Sequence, residues 1–75
     1  MIRELDRVVL KTDLRAQKLK RGDVGTVVLC HGRRGYEVEF LTLEGETVTV
    51  VSVEASQVRR IARDEIPHAR RIRVA

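Results

Sequence analysis

Apolar positions fall in short runs separated by polar turns, and two of the runs alternate residue by residue. Tyr36-Glu37-Val38-Glu39-Phe40-Leu41 is the clearest case. Successive strand side chains point to opposite faces, so Tyr36, Val38 and Phe40 are predicted to face inward and Glu37 and Glu39 outward. A strand with one wet face belongs to an antiparallel sheet. After the turn Glu44-Gly45-Glu46, the run Thr47-Val48-Thr49-Val50-Val51 alternates again, which predicts Val48 and Val50 inside and the threonines on the solvated face.

Three further strands follow from composition. Arg7-Val8-Val9-Leu10-Lys11 is a β-branched run between charges and reads as the first strand. Residues 12–23 carry no period-two pattern and form a long loop, with Leu14 and Leu19 spaced to reach the core. Gly22-Asp23-Val24-Gly25 supplies a turn with two residues tolerant of positive φ, and Thr26-Val27-Val28-Leu29-Cys30-His31 is the second strand. Gly32-Arg33-Arg34-Gly35 turns into the alternating third. Val53-Glu54-Ala55-Ser56-Gln57 interrupts the fourth, predicting a 3₁₀ turn before a short fifth strand, Val58-Arg59-Arg60-Ile61. Five short strands with a long first connection and a 3₁₀ turn before the last are the layout of an all-β, five-stranded antiparallel SH3-like barrel. The barrel is assigned to residues 1–61 and a basic C-terminal tail to residues 62–75, where mixed charge and one proline leave no periodicity. Disorder is expected for that tail, with an extended arm across an acidic surface, or a strand added to another chain's sheet, as the ordered alternatives.

Length and charge narrow the function. A chain of 75 residues buries only a thin core, which disfavours a deep catalytic pocket. The single cysteine, Cys30, allows no intramolecular disulfide and no thiolate metal cluster. No run approaches the roughly 18 to 20 apolar residues that cross a bilayer, and Met1-Ile2-Arg3-Glu4 lacks a secretory hydrophobic stretch, so a soluble cytoplasmic protein without membrane association is expected. The net charge of +4 is unevenly placed. Residues 59–75 hold six arginines against Asp64 and Glu65, while the rest of the chain carries nine basic and nine acidic side chains and is neutral.

The stretches Gly22-Asp23-Val24-Gly25-Thr26-Val27-Val28, Tyr36-Glu37-Val38-Glu39-Phe40, Gly45-Glu46-Thr47 and Glu54-Ala55-Ser56-Gln57-Val58 resemble a family of short bacterial proteins catalogued as a domain of unknown function. The likeness runs from about Leu5 to Arg60. It implies a small SH3-like barrel, often encoded beside another short gene, and no catalytic residue to carry over. Two features depart from that family: Arg15 stands where a proline commonly follows the leucine, and the basic segment after Ile61 is longer. Gly22-Asp23-Val24-Gly25-Thr26-Val27 is also similar to the KOW motif of ribosomal and transcription proteins, a pattern that many barrels satisfy.

Candidate chemistry is sparse. Cys30 and His31 are neighbours in a strand and point to opposite faces, so they do not form a nucleophile and base. The Gly22 turn lacks the lysine and hydroxyl of a phosphate loop and precedes a strand rather than a helix. Glu37, Glu39, Glu44 and Glu46 surround one hairpin and are read as a solvated acidic face suited to a basic partner or to the chain's own arginines, rather than as a metal site. No catalytic, cofactor-binding or metal-ligating residue is assigned. The candidate interaction surface comprises Arg15, Lys18, Lys20 and Arg21 of the first loop, Arg33 and Arg34 of the next turn, Glu37 and Glu39, and Arg70, Arg71 and Arg73 of the tail. The expected function is a non-enzymatic protein-interaction module, with a co-encoded protein as the natural partner. The alternative is sequence-independent binding of RNA or DNA through phosphates, against which stands the lack of a stacking platform: Tyr36 and Phe40 are the only aromatics, and both face inward.

Overall fold

In the computed structural model, which describes residues 1–73, five strands form one antiparallel sheet: β1 (Arg7–Leu10), β2 (Val24–Cys30), β3 (Gly35–Leu41), β4 (Thr47–Glu54) and β5 (Val58–Arg60). Val74 and Ala75, the end of the predicted tail, lie outside the described residues. The strand order is β4-β3-β2-β1-β5, so the last strand returns to pair with the first, Val8 opposite Arg60 and Leu10 opposite Val58. This is an SH3-like barrel, and a 3₁₀ turn (Ala55–Gln57) precedes β5 as the broken alternation predicts. The Glu54 amide donates to Gln57 Oε1 at 2.8 Å, which closes the turn from its N-terminal side.

The core is aliphatic apart from Phe40. Val8, Leu10, Val27 and Val38 are completely or almost completely buried, and Leu19, Phe40, Val53 and Val58 pack around them. Leu19 reaches this core because residues 14 and 19 bridge each other across a second, unpredicted 3₁₀ turn (Arg15–Gln17), with Lys18 in the left-handed region at φ 60°.

Two expectations are corrected. Val50 is half exposed rather than inside. The β3–β4 register slips between Phe40 and Leu41, leaving Val48 as an extra residue between the pairs Leu41–Thr47 and Phe40–Thr49. One extra residue reverses the facing of every later side chain, so Val51 and Val53 pair with Val38 and Tyr36 toward the core while Val50 joins Glu39 outside. Gly25 does not adopt positive φ; Gly22 does, at 94°. The need at position 25 is space, since a Cβ there would lie 2.5 Å from Val38 Cγ1 and 2.9 Å from Phe40 Cε2.

Beyond β5 the described residues enter no helix or strand, yet they are not free of the barrel. Ile72 packs against the core cluster and Arg70 bonds to Asp23, so the extended-arm alternative describes residues 62–73 better than disorder does. The long-range ion pair and the apolar contact supply what periodicity could not signal. Among the described residues, no helix is long and apolar enough to cross a membrane.

Candidate functional site

The arm meets the barrel where the first loop enters β2. Asp23 there has its backbone fixed by the tight turn at Gly22, and its Oδ2 accepts the Lys20 amide at 2.7 Å. That leaves the carboxylate facing the arm. Arg70 Nε donates to Asp23 Oδ1 at 2.7 Å, Arg70 Nη2 donates to Oδ2, and the same Nη2 also donates to the Lys18 carbonyl at 3.3 Å. Partial burial pushes the Asp23 carboxyl upward, but the Arg70 hydrogen bond, the Lys20 amide and the nearby cations outweigh it and hold the group below the ordinary carboxylate value of 3.8. Two residues on, Ile72 turns its side chain to the core cluster.

At its root the arm is fastened differently. Arg59 of β5 grips Glu65 through both guanidinium nitrogens, Nη1 to Oε1 at 2.9 Å and Nη2 to Oε2 at 2.7 Å, while the Ala62 amide donates to Oε1 at 2.7 Å. These bonds draw the Glu65 carboxyl down from 4.5 to about 2, the Arg59 bond contributing most.

Between the arm, the first loop and the β3–β4 hairpin lies a groove of about 500 Å³. Leu19, Val24, Phe40 and Val48 line it from the barrel, and Pro67 and Ile72 from the arm. Leu41 and Leu43 also line it and are exposed, Leu43 at 86%, which leaves an apolar lip in water. A second hollow of about 340 Å³ lies by His31, Arg34 and Ser52. Beside it Glu37 accepts the Ser52 hydroxyl and meets His31 Nε2 at 2.7 Å, and these two bonds, Ser52 first, lower its carboxyl below the ordinary range.

The predicted interaction residues divide into separate groups. Arg15, Lys18, Lys20 and Arg21 are exposed on the first loop, and the docking of Arg70 brings the exposed Arg71 and Arg73 to the same end of β2. Arg33 and Arg34 sit at the opposite end of that strand, about 20 Å away along its length. Glu37 and Glu39 occupy the outer face of β3, where Thr47 donates its hydroxyl to Glu39 at 2.9 Å, and neither carboxylate meets the arm's arginines. The acid that does is Asp23. In sequence Asp23 reads as a turn residue, though a lone carboxylate between Lys20-Arg21 and an apolar strand is a usable signal. Leu43, apolar inside a hairpin turn, is another.

Cys30 Sγ lies 4.0 Å from the Ile2 carbonyl, whereas His31 bonds to Glu37, so these neighbours face apart. Among the described residues, no three His, Cys, Asp or Glu side chains converge to hold a metal ion.

Against known families, a model described as a domain of unknown function (DUF4926) matches residues 4–60, ending with β5 and leaving the arm outside. No curated protein and no solved structure matches.

Proposed function

The chain belongs to the DUF4926 family, whose description assigns no activity, and from the geometry of this member we propose a non-enzymatic protein-interaction module that receives a partner segment in the arm-side groove. One observation carries the reading. Leu41 and Leu43 stand exposed at the lip of a groove whose floor is continuous with the core, through Leu19 and Phe40. Apolar side chains beside a preformed concavity favour an apolar anchor from another chain, whose burial removes both surfaces from water. The protein encoded beside this one, which the family resemblance suggested, is the first partner to try.

The test compares capture of that partner by the tagged wild-type chain and by Leu43→Arg. Position 43 is exposed, so the substitution leaves the core intact. Affinity is expected to fall roughly tenfold or more. Equal capture by both chains, with unchanged circular dichroism, removes the groove from the interface.

Binding of RNA or DNA is the second reading, supported by the gathering of Lys18, Lys20, Arg21, Arg71 and Arg73 at one end of the barrel. It predicts a mobility shift whose affinity falls steeply with salt. A shift that persists after those five residues are replaced by glutamine would assign the binding elsewhere.

A further inference from the structure

The arm is seated like a bound peptide. Among the described residues, no backbone-to-backbone hydrogen bond involves residues 66–73, and its attachment beyond Glu65 consists of the Arg70 bonds to Asp23 and the Lys18 carbonyl together with the packing of Ile72. An extended segment held through two side chains, one cationic and one aliphatic, is a ligand mode that another chain can reproduce. Only the root, clasped by Arg59 and Glu65, is secured locally.

We infer that the C-terminal arm, one wall of the groove, occupies the adjoining seat at Asp23 and the core edge as an intramolecular ligand, and that the partner is an extended protein segment that displaces it by presenting the same pattern, an arginine followed two residues later by a branched aliphatic side chain. The inference rests on the groove reading above and adds the partner's chemistry and its competitor.

Charge complementarity commits the ligand head to a cation. Asp23 is the carboxylate facing the seat, its side chain is 16% exposed, and the Arg70 guanidinium meets it with two nitrogens, a fork geometry that an ammonium does not supply. The aliphatic position follows from Ile72, which packs against the core cluster and lines the same groove as Val48. Tethering sets the threshold: the arm competes at the high effective concentration of a short linker, so a free segment of equal intrinsic affinity binds the intact chain weakly and binds a chain with a weakened arm much better.

The experiment titrates a fluorescent peptide of residues 64–73 into four full-length proteins: wild type, Arg70→Ala, Asp23→Asn and the double variant. Arg70→Ala is expected to bind at least fivefold tighter than wild type, because its own arm vacates the seat. The double variant is expected to lose that gain. A second peptide, with alanine at the position of Arg70, is expected not to bind the Arg70→Ala chain, an outcome independent of how Asp23→Asn folds. Equal affinity of wild type and Arg70→Ala, or equal binding of the two peptides, overturns the inference. A natural partner whose capture depends on Leu43 but is unmoved by Arg70→Ala would overturn displacement while leaving the groove reading intact. Peptide binding unaffected by Leu43→Arg would do the reverse.

Discussion

Nine apolar side chains, none more than 7% exposed, hold the barrel, whereas every described residue of the arm beyond Ala62 is exposed except the half-buried Ile72. Strand ladders tie β1, β2 and β3 to two neighbours each and the edge strands β4 and β5 to one, whereas beyond Glu65 the described residues of the arm are held by side-chain contacts alone. Two kinds of stability therefore share one small surface. Core burial is cooperative, so the barrel forms or fails as a unit. The arm's seat is a sum of a partly exposed ion pair and one apolar contact, small enough to be exchanged without disturbing what lies beneath.

The largest effect is expected from Phe40→Ala, which deletes the one aromatic side chain in the buried cluster and should cost about 3–5 kcal/mol. Urea unfolding read at barrel and arm resonances should shift together; an arm that outlasts the barrel would contradict the hierarchy. Gly25→Ala comes next, at about 1–3 kcal/mol, because the new methyl must displace Val38 and Phe40. A neutral result in the same denaturation would show that the β2–β3 contact yields more easily than its geometry indicates.

Arg70→Ala separates the two regions. The unfolding free energy of the barrel from urea denaturation should change by no more than about 1 kcal/mol, given that both partners retain solvent contact. Backbone order parameters for residues 67–73 should meanwhile fall toward the flexible range, below about 0.6. Unchanged order would mean Ile72 alone holds the arm. The smallest effect concerns the root. The folded Glu65 carboxyl titrates at about 2 against an ordinary 4.5, so its contribution is present above 4.5 and is lost as the pH falls toward 2. The Ala62 amide shift should report that titration, and a midpoint near 4.5 would mean that the Arg59 clasp is open in solution.

Much of the barrel was legible because its signals are local. Glu37 and Glu39 announced the wet face of β3, and Ala55, Ser56 and Gln57 announced the turn before β5. The phase of β4 was not legible beyond Val48, since valine fits both faces of a strand and nothing in Thr47-Val48-Thr49-Val50 marks a bulge. The site was legible only in its ingredients. Lysines and arginines of the first loop and tail stood out as charge, but the acid that organises them, Asp23, looked like ordinary turn chemistry, and the acidic face named instead lies on another part of the surface.

Composition and alternation were sufficient for the strand count, the inward side chains of β3, the need to fold without a disulfide, and the concentration of positive charge after Arg59. Each is a property of adjacent residues or of totals. Where the arm comes to rest was settled by contact between Arg70 and Asp23, 47 positions apart, and by the packing of Ile72 against a core cluster that exists only once the sheet has curled. Side-chain period reports which face a residue occupies; it carries no information about which distant charge that face will meet.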